Sequence, residues 1–225
     1  WFVRWEQAIN KDLILQNDDV EEIFAEFLMD ALLRGNTLAR AQAAICVSKT
    51  TADELTRLPV RIPTLAPVIY EGVEPSFFAP INSNERQQLR QVLKTTAPYL
   101  LFVGVWMSHK NLNSLLEAFA IIQRRYPELH LVITGTAHPG YLKVSDIAAH
   151  YGVAQAIHLP GFIDHALLPA LYAESKAFLF PSLYEGFGLP PLEAAACGTP
   201  VIASNVASIP EIMNGAAILI NPEYT

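Results

Sequence analysis

From Tyr99 onward the sequence switches regularly between short apolar runs and stretches of helical periodicity, and this alternation restricts the possible folds more than any other feature. The runs YLLFVGV, LHLVITG, AIHLP, KAFLFPS, PVIAS and AAILI are separated by segments at 111 to 125, 141 to 151, 164 to 174, 190 to 197 and 207 to 213. Six strands joined by five short helices predict an α/β fold in which a parallel sheet is wrapped by helices on both faces. Within the first helical segment Leu112, Leu115, Leu116, Phe119 and Ile122 recur at intervals of three and four, marking one apolar stripe. Runs such as AFLF and LVIT are apolar throughout, as strands covered on both faces require.

The first third of the chain reads as a second, smaller α/β region. Residues 19 to 45 show a helical pattern with a break at Gly35-Asn36. AAICVS reads as a strand, TADELTRL as a helix opened by a threonine cap, and PVIY as a further strand. The region is too short to be complete. EGVEPSFFAPINSN is rich in turn-forming residues and carries two prolines, which suits a linker. A boundary near Pro80 divides the chain into 1–80 and 81–225. Because it opens at Trp1 rather than Met and stops just after a strand-like run, the sequence is expected to be a piece of a longer protein.

A hydrophobic content of 52 % can fill a substantial core, while a net charge of -7 without any long run of like charges argues against a nucleic-acid surface or a polybasic membrane anchor. Any anionic ligand must therefore be held by local geometry. Cys46 and Cys197 are far apart and lack metal or redox spacing, which suits two buried thiols in a reducing compartment. No apolar run reaches the roughly 18 residues of a membrane span. A cytoplasmic location is expected, and the histidines show no pair at metal-ligand spacing.

The stretch YEGFGLPPLE places Glu185 and Glu193 eight positions apart around a small glycine loop that opens into a helix. In an open parallel sheet, ligands bind beyond the carboxyl ends of the strands, and the loop leaving KAFLFPS is at such an end. Pro190 or Pro191 can occupy the first helical position and Gly198 can close the helix. The unpaired amides of the first helical turn and of Gly186 to Gly188 make a concavity rich in donors, suited to an anion or a sugar hydroxyl. Ionised carboxylates are acceptors only, so two of them call for hydroxyl partners such as those of a sugar and a ribose. A glutamate in a first helical turn also stabilises its own helix by about 0.3 to 1 kcal/mol, and the spacing alone leaves that alternative open. Lys110, in the stretch SHKN after the first strand of the sheet, can neutralise a phosphate beside a helix N-terminus or can be a surface lysine. His109 carries a weaker signal.

PSLYEGFGLPPLEAAACGTPVIASNVASIPEI resembles, almost position for position, the donor-binding signature of retaining GT-B glycosyltransferases of the family-4 type. FVGVWMSHKNLNSLLEAFA is similar to that family's first strand, phosphate loop and helix, and LHLVITG and LPGFIDHALLPALYAES follow in the expected order. AAICVSKTTADEL and APVIYEGVEPSFFAP resemble the end of the acceptor-side lobe and the crossing into the donor lobe. The resemblance, which covers roughly 40 to 225, implies a Rossmann-like donor lobe and part of a Rossmann-like acceptor lobe. It puts Glu185 beside the transferred sugar and the leaving phosphate, and Glu193 on the ribose hydroxyls. Gly186, Phe187, Gly188 and Leu189 would offer backbone groups to the donor, Lys110 would bind the diphosphate with His109 beside it, and Phe162 and Ile163 would lie near the base.

The implied activity is transfer from a nucleotide sugar, GDP-mannose first and a UDP-sugar next, to a saccharide or lipid-linked saccharide acceptor. The resemblance further implies retention of anomeric configuration without a metal or other cofactor, and allows peripheral membrane association. Two positions depart from the pattern. Val105 follows Gly104 where many members carry an arginine, and His109 stands where an arginine often precedes the lysine. The family's N-terminal glycine loop and acceptor-side histidine are expected before residue 1, so the isolated chain is expected to be inactive. A non-catalytic nucleotide-sugar-binding module and a nucleotide-sugar epimerase share the architecture and stand as alternatives. P-loop, dinucleotide and nucleophile-elbow motifs are absent from the sequence.

Overall fold

The computed structural model describes residues 41–57, 64–65, 67–137 and 143–224. The helical pattern at 19 to 40 lies outside the described residues. In chain order the elements are β1 (Ala43–Ala44), α1 (Lys49–Arg57), β2 (Thr64–Leu65), α2 (Ser83–Leu93), β3 (Tyr99–Val103), α3 (Leu112–Arg125), β4 (His130–Thr134) and α4 (Val144–His150). There follow β5 (Ile157–Gly161), α5 (Leu168–Ala173), β6 (Ala177–Phe180), α6 (Leu189–Ala196), β7 (Val201–Ser204), α7 (Ile209–Met213) and β8 (Ile218–Ile220). All six apolar runs are strands of one sheet, in the order β5-β4-β3-β6-β7-β8. Every neighbouring pair is parallel.

Strand alternation divides the core in two. Leu101, Phe178, Phe180, Val201 and Ala203 pack with residues of α2, α5, α6 and α7 on one face. Leu100, Phe102, Leu131, Ile133 and Ala177 pack with α3 and α4 on the other. Phe102, Phe178 and Phe180 are fully buried, and each such side chain stabilises the fold by about 1.5 to 3 kcal/mol relative to exposure.

Three expectations for the first 93 residues are corrected. Of AAICVS only Ala43–Ala44 pairs, and its partner is Thr64–Leu65 rather than PVIY. Pro67 has no amide to give a ladder, and the extended backbone beyond it makes one bond, from the Ile69 amide to the Cys46 carbonyl at 2.9 Å. Helix α1 starts at Lys49, before Thr51, the threonine proposed as its cap. Ser48 takes that role, its hydroxyl accepting from the Thr51 amide at 3.0 Å. Lastly, the presumed linker runs into helix α2, whose Asn82 and Glu85 form a reciprocal capping box and whose Leu89 and Leu93 enter the core. The N-x-x-E pattern is visible in the sequence, but the polar run after it hides the two leucines that fix the helix.

The loops at the carboxyl end of the sheet are knitted together by backbone. The Trp106 amide donates to the Thr136 carbonyl at 3.0 Å, and the Gly135 amide to the Gly161 carbonyl at 2.9 Å. Gly135 has φ +98°, and a Cβ there would lie 2.1 Å from the Gly104 carbonyl oxygen. Since that neighbour is backbone, Gly135→Ala should cost about 3 kcal/mol or more, seen as a loss of thermal stability far larger than for Gly72→Ala, where a Cβ meets nothing within 4 Å.

On the β4 and β5 edge, His130 and His158 stack at 4.9 Å between ring centroids, with Nδ1 of the first 2.6 Å from Nε2 of the second. One nitrogen must donate and the other accept, so the contact requires an unprotonated acceptor. Burial, then the neighbouring His130, lowers the His158 pKa from 6.5. A histidine depressed in the fold contributes stability that is present above its unfolded value and is lost as pH falls. Chemical denaturation below pH 6.5 should therefore show a shallower acid loss for His158→Gln than for the parent. The difference should be a fraction of the roughly 1.4 kcal/mol per pH unit of one fully coupled proton.

Candidate active site

The order of the sheet reverses at the boundary between β3 and β6, so the loops leaving these two strands emerge side by side. The Leu183 amide donates to the His109 carbonyl at 2.7 Å and joins the loops. Lys110 ends a 3-10 turn, Ser108–Lys110, and Asn111 beyond it takes a left-handed conformation at φ 55° before α3 begins. This geometry delivers the lysine to the neighbouring loop. Its Nζ donates to Oε1 of Glu185 at 2.5 Å and lies 5.1 Å from the centre of the Phe180 ring. Both side chains are only 14 % exposed, so the pair is largely withdrawn from solvent.

His109 behaves differently from a cation beside Lys110. Burial, then the Lys110 charge, lowers its pKa to about 3, and its ring is neutral at physiological pH. Val105, 49 % exposed, supplies no charge to the same loop.

The glycine loop is held through its carbonyls. The Ser208 hydroxyl lies 2.8 Å from both the Glu185 and the Phe187 carbonyl oxygens, its single proton shared between them. Ser48, just before α1, and Thr51, on it, place their hydroxyls 2.8 and 3.0 Å from the Gly186 carbonyl oxygen. Tyr184, just ahead of the loop, donates its hydroxyl to Glu54 of α1. Among the described residues the amides of Gly186, Phe187 and Gly188 find no acceptor.

Gly188 caps α6 at φ 104°, where a Cβ would meet Ile209 Cδ1 at 2.6 Å, so the fold itself demands a glycine there. Gly186 is another matter. Its φ is ordinary, and a Cβ would meet only Thr51 Oγ1 at 3.9 Å. What glycine leaves at 186 is room for close approach to the backbone. Phe187 is buried, and Leu189 opens the helix ahead of Pro190 and Pro191.

Glu193 is the fifth residue of α6, in its second turn rather than the first as expected, so it lies beyond the strongest reach of the helix dipole. Burial raises its pKa, partly offset by the Tyr172 hydroxyl, which donates to Oε2 at 2.8 Å, and by His165. The place of Glu193 in the second turn and its burial both weaken the helix's hold on the ionised form. Oε1 has no partner among the described residues. His165, in the 3-10 turn after β5, and Glu74 also act on the Glu193 carboxyl, in opposite directions.

Phe162, just past β5, is 81 % exposed, whereas the Ile163 side chain is 5 % exposed and packs in the core. Ser182 Oγ, at the root of the glycine loop, is buried and has no partner among the described residues. A cavity of about 600 Å³ adjoins the glycine loop at Phe187 and α6 at Leu192 and is lined also by Lys49, Tyr70, Glu71 and Glu211, but not by Lys110, Glu185 or Glu193. Among the described residues no three of His, Cys, Asp and Glu converge as a metal site, and no helix is long and apolar enough to cross a membrane.

Sequence reasoning missed Ser48, Thr51, Tyr172, Ser208 and Glu211. Glu211 accepts from the amides of Lys49 and Thr50 at 2.8 and 3.2 Å and from the Tyr70 hydroxyl at 2.8 Å, so a side chain of α7 caps α1. These partners are separated by up to 162 positions, and only the S-x-x-T start of α1 gave a local hint.

Residues 83–223 match the family described as Glycosyl transferases group 1. The chain is 31 % identical over 211 residues to the serotype-specific mannosyltransferase WbdA of Escherichia coli, covering 88 % of this chain and 24 % of that protein. It is 34 % identical over 128 residues to the O-antigen chain mannosyltransferase B of Escherichia coli, covering 55 % and 33 %. Among solved structures, sucrose-phosphate synthase from Thermosynechococcus elongatus superposes with a TM-score of 0.73 at 27 % identity, covering 88 % of this chain and 49 % of that one. The chain thus spans about a quarter to a half of the length of these three proteins. With the six-stranded parallel sheet and the paired strand-end loops already in place, the match over 141 consecutive residues settles the affiliation: this chain belongs to the group 1 glycosyltransferases and has their GT-B architecture.

Proposed function

We propose that the protein containing this chain transfers mannose from GDP-mannose to a saccharide or lipid-linked saccharide acceptor, with retention of configuration at the anomeric carbon. The observation that carries the proposal is the Lys110–Glu185 pair, joined at 2.5 Å beside a glycine loop whose amides have no acceptor among the described residues. The two relatives named as mannosyltransferases favour mannose over other sugars. UDP-sugars are the next donors in line.

An ammonium has three donors, so Lys110 can keep Glu185 and still reach two phosphate oxygens. As the bond from the anomeric carbon to the phosphate oxygen breaks, negative charge grows on the leaving diphosphate. Lys110 and the loop amides oppose that charge in a site with little water, where each such contact is worth more than in bulk solvent. The acceptor hydroxyl attacks from the same face, and the departing phosphate takes its proton. Glu185, fixed by Lys110, accepts from hydroxyls of the sugar. Glu193 offers Oε1 to the ribose hydroxyls, and the exposed ring of Phe162 provides a face for the base. This division of charge asks nothing of a metal ion, and turnover should persist in excess EDTA.

Two measurements test the assignment of roles. Thermal-shift titration of this chain with GDP, UDP and ADP should show the largest stabilisation with GDP, which Glu193→Ala should weaken by about tenfold or more in affinity. In the whole protein, Glu185→Ala should depress transfer by about a hundredfold while GDP affinity changes little. Equal and negligible effects of both substitutions would refute the scheme.

A further inference from the structure

The glycine loop is fastened from two sides, and the two anchors come from different parts of the chain. Ser208 lies in the donor-side region and holds the peptide planes on either side of the loop's centre, through the carbonyls of Glu185 and Phe187. The plane between them, from Gly186 to Phe187, is held by Ser48 and Thr51, 138 and 135 positions earlier. In a trans peptide the N–H points opposite to the C=O, so a carbonyl fixed toward α1 fixes the Phe187 amide away from it. Ser48 is fully buried, its hydroxyl accepts from the Thr51 amide and lies 2.8 Å from the Thr51 hydroxyl, so the two hydroxyls together direct at least one proton at the Gly186 carbonyl. The docking of α1 is secured independently by Glu211 on Lys49 and Thr50, and by Tyr184 on Glu54.

We infer that Ser48 and Thr51 are positioning residues for sugar transfer, which hold the central peptide of the glycine loop so that the Phe187 amide is oriented before the donor arrives. The inference rests on the nucleotide-sugar assignment made above. It adds that α1, which precedes the donor region in sequence, completes the donor loop's geometry. The geometric reason is specific to this plane. Ser208 has one proton for two carbonyls and contacts neither atom of the Gly186–Phe187 carbonyl and amide, so without α1 that peptide is free to flip. A flipped plane presents a carbonyl where a donor is needed, and the oxyanion contact turns from attraction to repulsion.

The test uses the whole protein carrying Ser48→Ala with Thr51→Val, and three measurements without an identified acceptor. Hydrogen exchange over residues 184–189 in the absence of ligand reads the loop. Calorimetry with GDP reads binding, and GDP release from GDP-mannose into water reads turnover. Exchange should rise by about tenfold or more and kcat should fall by about tenfold or more, while GDP affinity changes by less than about threefold. Thr51→Ser should retain parental kcat, as should Thr56→Val, a change on the same helix at a hydroxyl that bonds only the Asp53 carbonyl. If the double variant does not fold, Thr51→Val alone should give a smaller change in the same direction. Unchanged exchange and kcat overturn the inference, as does a fall in GDP affinity as large as the fall in kcat, since that marks collapse of the whole site. Should the parent neither bind GDP nor turn over GDP-mannose, the donor assignment fails, whereas the exchange data still decide whether α1 holds the loop.

Discussion

The reversal of strand order between β3 and β6 is the constraint from which the site follows. In a parallel sheet each strand is left by a loop at its carboxyl end, and consecutive crossovers of the same hand cover the same face. Where the order turns, the two connections diverge to opposite faces and leave a crevice between them. Here α3 leaves β3 to cover one core and α6 leaves β6 to cover the other. At that crevice the loops at 104–111 and 181–188 lie side by side, and they carry Lys110 and Glu185. The pairing of these residues, 75 apart in sequence, is thus a consequence of topology.

A pair so withdrawn from water is a poor way to gain stability. Each ion loses several kcal/mol of hydration, and their attraction does little more than return it. The lysine is also positioned against the Phe180 face, which favours a cation at a fixed point. Such an arrangement makes sense where a second anion is to be received: the ammonium is already desolvated and oriented, and the reorganisation needed on binding a diphosphate is small. The neutral state of His109 fits the same economy, because a second charge beside Lys110 in the unliganded site would be uncompensated.

The parallel sheet could be read from residues alone because its inner strands β3, β4, β6 and β7 are covered on both faces, which forces continuous apolar runs, and α3 carries a clear apolar stripe. The glycine loop and its two glutamates were legible for a related reason: a tight strand-to-helix turn needs glycine and proline at fixed places. Helix α2 was missed because its polar majority outweighed two buried leucines and a local capping pattern. The start of α1 was misplaced since part of its cap is not local, with Glu211 reaching it from α7. Nothing in a one-dimensional pattern announces that Ser48 will meet Gly186, for serine at a helix start satisfies its own helix equally well.

Glu193 shows how burial and helix position compete within one element. A carboxylate in the first turn of a helix gains about 0.3 to 1 kcal/mol from the exposed amides, an effect confined to that turn. By extending α6 back to Leu189, the fold moves Glu193 from the fourth to the fifth helical position, beyond the first turn, where the gain fades and desolvation dominates. Tyr172 offsets part of that effect by donating to Oε2, and burial raises the tyrosine's own pKa, so the phenol keeps its proton to give. The hydroxyl anchors Oε2 and leaves Oε1 directed by geometry alone. Ribose hydroxyls brought to Oε1 would add donors to the ionised form and draw the carboxyl's pKa back down, so that ligand binding and ionisation of Glu193 reinforce each other.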